Sequence, residues 1–265
     1  MRNIVILLSV LFLFHCSKQS NEFRSIELVR VEGGTYLMGG PEGVADIDTS
    51  PQHWVTVKSF EIGKFEVTQA QWIAIVQWKR KHGGTILREI PGYDDGDEYP
   101  INNISWDDVK LWIDALNQMK GKHYRLPTES EWEYAARGGI FWNDEYIYSG
   151  GNCLDEVGWY TRNSVKDGEW LEKQPVGLKK PNQLGIYDMS GNVWEWCEDA
   201  YLSYRDNIHN KIKVDTTIQY RICRGGSNYQ TTDRDCRVFV RGKQKRSSFG
   251  GKIGFRIAQD VEEAK

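Results

Sequence analysis

The chain has 265 residues and a formal net charge of −3, with 34 Lys and Arg against 37 Asp and Glu. This near-balance, without a basic stripe, argues against a nucleic-acid partner. The length allows one large domain or two small ones with a substantial core. The 11 Trp and 26 Gly favour a loop-rich α+β fold whose turns are held by buried rings.

The first residues have the pattern of an export signal. Arg2 precedes an apolar run, Ile4–Phe14, that ends near Cys16 and is followed by polar residues. The run is too short to span a bilayer and matches the charged and apolar regions of a secretory signal. A cysteine directly after such a run resembles the cleavage site of a bacterial lipoprotein, where this cysteine is lipidated. An ordinary cleaved signal with an incidental cysteine is the alternative.

The sequence therefore predicts three parts. Residues 1–16 form a signal peptide ending at a lipidated Cys16, residues 17–26 form a polar tether, and residues 27–260 form one domain, since no repeat or linker divides them. The predicted location is the cell envelope, on a bacterial outer membrane or surface.

Alternating apolar residues predict short strands before the first helix. These are Leu28–Val31 and Thr35–Met38, joined as a hairpin by Gly33-Gly34, followed by His53–Phe60 and Phe65–Val67.

Capping residues predict three helices. The N-terminal caps are Thr68 with Gln71, Ser105 with two aspartates after it, and Thr128 with Glu131, and Gly121 ends the second helix. Residues 140–220 have weak periodicity, which in a region this long indicates functional or ligand-stabilised structure. The predicted closing strands are Ile222–Ser227, Cys236–Arg241 and Ile253–Ile257.

The segment Gly185–Cys197 combines two carboxylates, Asp188 and Glu195, with flexible turn residues. Oxygen ligands at short spacing on irregular backbone suit a hard cation such as Ca²⁺. The same residues also fit a tight turn in which Asp188 and Asn192 bind their own backbone.

Four cysteines follow the signal segment: Cys153, Cys197, Cys223 and Cys236. An even number in an oxidising compartment indicates one or two disulfides. No pair has CxxC spacing, and no Cys/His cluster has the spacing of a zinc site. The pairing does not follow from the sequence, and Cys197 with Cys236 is the pair that we favour.

Several segments match one known pattern in order. They are Gly33–Gly39, Phe65–Thr68, Tyr124–Arg137, Gly185–Trp196, Arg224–Ser227 and Ile253–Arg256. Together they resemble the formylglycine-generating enzyme family, also called the sulfatase-modifying factor domain. The resemblance covers residues 27–259 and implies a loop-rich α+β fold related to C-type lectins.

The resemblance also implies a structural Ca²⁺ in the Gly185–Cys197 segment. Its ligands would be side-chain oxygens of Asp188 and Glu195 and main-chain carbonyls of Gly191 and Val193.

Formylglycine-generating enzymes oxidise a sulfatase cysteine with copper that is held by two thiolates. Paired soft thiolates are ligands that suit Cu(I). The resemblance places these cysteines three and eight residues after the Gly-Gly-Ser, where this chain has Gln230 and Asp235. Counting back from Arg237 instead reaches Asn228 and Asp233. Cys236 could supply one ligand but not both, so copper is not expected.

Three functions remain open from the sequence. The first is a non-catalytic or divergent envelope lipoprotein that binds a protein or a glycan. The second is an oxidase of a protein cysteine with rearranged ligands around Cys236. The third is a lectin-like adhesin that binds glycans through its Trp-rich region. Whether the chain is an enzyme stays undecided at this stage.

Overall fold

The computed structural model describes residues 25–41, 47–83, 96–166, 169–170, 173–207, 218–229, 232–250 and 252–261. The signal segment, Cys16 and the tether up to residue 24 lie outside the described residues. Within the described ranges, no helix is both long and apolar enough to cross a membrane.

Eleven strands and five α-helices are assigned in these ranges. In chain order they are β1 Leu28–Val31, β2 Gly34–Met38, β3 His53–Val57, β4 Phe60–Gly63, α1 Gln69–Lys81, α2 Trp106–Lys120, α3 Glu129–Ala136, α4 Leu154–Val157, β5 Val165–Lys166, β6 Glu169–Trp170, β7 Trp194–Ala200, α5 Tyr204–Asn207, β8 Tyr220–Arg224, β9 Arg241–Lys245, β10 Ile253–Gly254 and β11 Ala258–Asp260. Three 3-10 turns cover Ile47–Thr49, Gly139–Asp144 and Asp233–Cys236.

The strands form small sheets. One has the order β1-β4-β11 and is antiparallel, and a second has the order β10-β7-β8-β9, in which β10 runs parallel to β7. Two further pairs, β2-β3 and β5-β6, complete the set. The predicted α+β class with much irregular backbone is therefore confirmed.

The predicted hairpin between the first two strands is wrong. β1 pairs with β4, whereas β2 pairs with β3. At the junction, a Cβ atom on Gly33 would lie 2.7 Å from the backbone nitrogen of Ser59. The chain therefore crosses from one sheet to the next at Gly33 instead of turning back on itself.

The predicted strand Cys236–Arg241 is also wrong. Cys236 ends a 3-10 turn, and β9 begins only at Arg241. Val238, Phe239 and Val240 are all buried in succession, but they pair with none of the strands that the structure describes. The segment is instead held by a hydrogen bond from the Val238 nitrogen to the Ile147 oxygen, 3.0 Å.

All three predicted helix starts are confirmed. Thr68, Ser105 and Thr128 each accept a hydrogen bond from the backbone nitrogen three residues ahead, and in each case that third residue's side chain bonds back to the cap. These reciprocal bonds satisfy two of the backbone N–H groups that a helix start leaves without partners.

The core is built around stacked tryptophans on α1 and α2. The rings of Trp72 and Trp112 are parallel with centroids 5.8 Å apart, and the edge of Phe255 meets both. The Trp112 indole N–H also donates to the Trp72 carbonyl, 3.2 Å. Since Phe255 precedes the C-terminal strand, this cluster ties the two helices to the end of the chain.

Replacing Trp112 with alanine should lower the free energy of unfolding by about 3–5 kcal/mol, because it leaves a cavity in this cluster. Urea denaturation followed by circular dichroism measures the change. Leu111 is 42% exposed on the same helix, so Leu111→Ala is a matched control with an expected effect below about 1 kcal/mol. Equal losses in the two variants would contradict the role given to the Trp72–Trp112 stack.

Candidate functional site

The segment Gly185–Cys197 has the irregular backbone expected of it. Asp188, Gly191 and Asn192 all have positive φ angles, of 60°, 97° and 60°, a region that Gly, Asn and Asp enter most readily. A Cβ atom on Gly191 would lie 2.0 Å from the Trp159 carbonyl oxygen. The segment therefore packs backbone to backbone against the chain at Trp159, and glycine is required there.

Glu66 holds the middle of this segment. Its Oε2 accepts from the Asn192 amide nitrogen at 2.7 Å, and its Oε1 accepts from the Val193 backbone nitrogen at 3.1 Å. Glu66 was missed at the sequence level, although it lies inside Phe65–Thr68, one of the segments that identified the family. Asn192 therefore binds a distant carboxylate as well as shaping the turn.

Glu195 is completely buried and is bound by two side chains. The Arg256 guanidinium donates through Nε to Oε2 at 2.6 Å and through Nη2 to Oε1 at 2.7 Å, and the Trp132 indole N–H donates to Oε2 at 2.7 Å. A carboxylate has about four lone-pair positions, so three hydrogen bonds leave room for one more ligand, on the side of Oε1.

Asp188 is buried, and only one of its two carboxylate oxygens has a hydrogen-bond partner. Its Oδ2 accepts from the Gly177 backbone nitrogen at 2.7 Å, whereas its Oδ1 has no hydrogen-bond partner. Burial raises the pKa of Asp188 to about 6, and burial together with Asp188 and Glu195 raises the pKa of Glu66 well above its usual value. Glu66, Asp188 and Glu195 thus place three carboxylates around one buried guanidinium, that of Arg256.

These features fit the predicted cation. The orphaned Asp188 Oδ1 and the remaining position on Glu195 are oxygen donors of the kind that Ca²⁺ binds, and the local excess of negative charge favours a cation. Among the described residues, no three His, Cys, Asp or Glu side chains form a metal-binding group. A cation here would therefore depend on main-chain carbonyls as well, as the predicted set with Gly191 and Val193 does.

The positions that the resemblance assigns to copper cysteines are polar in this chain. Asp235 lies half-buried on the 3-10 turn Asp233–Cys236, and Asp233 accepts a hydrogen bond from the Tyr148 hydroxyl at 2.9 Å. Asn228 is buried next to Ser227. Gln230 lies outside the described residues.

Cys236 is enclosed by apolar side chains. It has no exposed surface and packs in a small cluster with Tyr148, Leu154, Val157 and Tyr160. Burial, together with the nearby aspartates, raises the pKa of its thiol to about 12. The side chain is therefore a protonated thiol without solvent access, whereas copper requires an accessible thiolate.

The predicted disulfide between Cys197 and Cys236 is not formed. Cys153, Cys197, Cys223 and Cys236 are all free thiols. Cys197 belongs to the main core and Cys236 to the smaller cluster, so the fold places the two in different apolar environments.

A buried charged network braces α3 against the second sheet. Arg224 pairs with Glu133, which also accepts from Arg137 at 2.9 Å. Arg241 binds Glu129 through two hydrogen bonds of 2.6 and 2.8 Å. Arg224 of β8 and Arg241 of β9 are thus paired with carboxylates of α3, which gives them a structural role.

The chain matches the family described as the sulfatase-modifying factor enzyme 1-like domain over residues 14–261. It belongs to this family. It is 30% identical to the chaperone protein LppX of Paenibacillus barcinonensis, over 92% of this chain and 93% of that protein. It is also 30% identical to the formylglycine-generating enzyme of Streptomyces coelicolor, over 88% and 89% of the two chains.

Family members differ in activity, as their names state. One relative, 25% identical over 89% of this chain and 88% of its own, is the inactive C-alpha-formylglycine-generating enzyme 2 of Bos taurus. Among solved structures, PvdO from Pseudomonas aeruginosa superimposes with a TM-score of 0.70 at 25% identity, covering 88% of this chain and 94% of PvdO. CarF gives a TM-score of 0.68 at 25% identity, over 90% and 99%. The expected fold, which is related to C-type lectins, is thereby confirmed.

The four described thiols should react very unequally. Cys153 is exposed, whereas Cys197, Cys223 and Cys236 are buried, and burial raises the pKa of all three buried thiols. Iodoacetamide at neutral pH should therefore alkylate Cys153 in the native protein and the other three only after denaturation, as read by peptide mass spectrometry. Rapid native alkylation of Cys236 would contradict the enclosure described above.

Proposed function

We propose that this chain is an exported, lipid-anchored member of the sulfatase-modifying factor family that binds a protein partner on the cell envelope and does not use a copper–thiolate pair. The main observation concerns Asp235 and Cys236. Asp235 stands at a position where the catalytic branch of the family carries a thiolate, and the neighbouring Cys236 is buried and protonated. The signal-like segment ending at Cys16 supports the anchor. The relative named as a chaperone supports a protein as the partner in preference to a glycan.

The alternative of a rearranged copper oxidase has little support from the site. It would require Cys236 to leave its apolar cluster, and a second thiolate to come from elsewhere. Cys153 is exposed at the start of α4, but Cys197 and Cys223 lie in the main core. A two-thiolate site would therefore require rearrangement of the fold as well as of one loop.

The purified protein, loaded with Cu(I), should not convert the cysteine of a Cys-x-Pro-x-Arg peptide to formylglycine. Mass spectrometry of the peptide measures the conversion, and the Streptomyces coelicolor formylglycine-generating enzyme in the same assay is the positive control. Formylglycine above the level of a protein-free control would refute the non-oxidase proposal. If Cys236→Ser abolished that activity, the rearranged oxidase would replace it.

We also propose that Ca²⁺ binds in the Gly185–Cys197 segment, at Asp188 Oδ1, Glu195 and the carbonyls of Gly191 and Val193. A cation there would offset the excess of carboxylates over guanidinium in this buried cluster. It would also fix the backbone that carries the adjoining strand β7. The role is structural, since the segment is packed under Glu66 and Trp132.

Ca²⁺ should raise the thermal unfolding temperature of the protein, and EDTA should reverse the shift. At a hundredfold excess over its dissociation constant a ligand adds about 2.7 kcal/mol to the free energy of unfolding. Asp188→Ala should lose this shift, and the exposed Asp155→Ala should keep it. A wild-type protein that does not respond to Ca²⁺ after EDTA treatment would count against this site.

A further inference from the structure

An apolar patch lies on the outer face of the β2–β3 ribbon. Leu37 and Trp54 are cross-strand partners there, and the Trp142 ring meets Trp54 edge to face at 5.8 Å. Ile140 and Phe141 precede Trp142 on the same 3-10 turn. We call these five residues the Trp54 patch.

Three side chains of the Trp54 patch are strongly exposed to solvent. Trp54 is 62% exposed, Ile140 59% and Phe141 44%. Among the tryptophans whose burial the structure describes, Trp54 alone is exposed. Single exposed apolar residues are common on protein surfaces, but several on two segments that meet at Trp54 and Trp142 indicate a surface that contacts another molecule or a membrane.

The composition of the Trp54 patch suits the boundary of a lipid bilayer. Tryptophan is enriched at that depth, because its ring is apolar and its N–H is polar. Ile140 and Phe141 offer aliphatic and aromatic surface without a hydrogen-bonding group, which favours acyl chains over a sugar. Asp144 and Glu145 follow on the same segment, so the contact would not depend on anionic headgroups.

The chain outside the structure is long enough to allow this contact. From Cys16, residues 17–24 span at most about 28 Å. Residues 25–31, which include β1, then cover about 20 Å. At the end of β1, a Cβ atom on Gly139 would lie 3.4 Å from Cγ1 of Val31, and Ile140 follows directly. The tether can therefore hold the patch at the surface to which it is attached.

We propose that the Trp54 patch docks on the membrane that holds the lipid anchor, so that the domain lies against the bilayer in a fixed orientation. This inference rests on the proposed lipid anchor, which supplies the membrane and the local concentration. The acyl chains hold the protein at the surface, and the patch determines which face of the domain is turned toward it.

The test uses the full lipidated chain reconstituted in phosphatidylcholine vesicles with brominated acyl chains, which quench nearby tryptophans. Wild-type protein should be quenched relative to vesicles of unbrominated lipid. Trp54→Ser should lose at least half of this quenching, because it removes the exposed ring. Phe141→Ser retains the Trp54 reporter but weakens the contact, so its quenching should also fall. Tyr229→Ser, at a residue 70% exposed on another segment, is the matched control and should be quenched like wild type.

Absence of quenching in lipidated wild-type protein, or equal quenching in wild type and Trp54→Ser, overturns the docking. A second result also overturns the docking. If the wild-type protein sediments as a dimer, Trp54→Ser abolishes the dimer and the wild type shows no quenching, the patch binds a second copy of the chain and not the membrane. Mass spectrometry of the mature N-terminus tests the anchor separately. A lipidated but unquenched protein refutes the patch alone, whereas a chain without lipid on Cys16 refutes the anchor and the docking together. Circular dichroism of each variant confirms that it is folded.

Discussion

The ion pair between Arg256 and Glu195 connects more of the structure than any other contact described. Its two hydrogen bonds join the C-terminal segment to β7, and Arg256 also donates to the carbonyls of Gly63 and Tyr187. A guanidinium buried this completely is costly unless every donor is satisfied. The arrangement therefore fixes β4, β7 and the Gly185–Cys197 segment together, with Trp132 of α3 on the other side of the carboxylate.

Further buried ion pairs brace the second sheet on both sides of the segment that contains Cys236. The buried pairs of Arg224 with Glu133 and Arg241 with Glu129 brace the strands on either side of residues 225–240. Within the intervening segment, the Val240 carbonyl accepts a hydrogen bond from Arg224 at 2.6 Å, and Cys236 packs in its own small cluster. Neither of these two ion pairs includes Asp235 or Cys236.

The sequence was most informative where the local chemistry determines the structure. The three capping boxes depend on neighbours within a few positions, so their pattern is visible in a single chain. The residue types at Asp188, Gly191 and Asn192 likewise indicated a turn, because Asp, Gly and Asn enter the positive-φ region most readily. The ordered family segments then gave the fold. Long-range pairing was less accessible: alternation identified β1 and β2 but not their partners, because register depends on which faces become buried.

The candidate site could likewise be predicted only in part from the sequence. Asp188 and Glu195 were visible as carboxylates, but Glu66 is 126 residues from Asn192 in sequence, and no local pattern connects them. The enclosure of Cys236 was equally hidden, since the apolar residues Val238, Phe239 and Val240 after it indicated a strand and not the 3-10 turn that is found. Only packing against Tyr148 and Leu154 shows that the thiol is enclosed.

The position of Arg256 near the end of the chain has a consequence for biosynthesis. The strands that complete both larger sheets, β10 and β11, are the last two in the sequence, and the guanidinium that neutralises Glu195 lies between them. Before these residues are made, β4 can pair only with β1, β7 can pair only with β8, and Glu195 lacks its counter-charge, so the core cannot close until the last two strands are present.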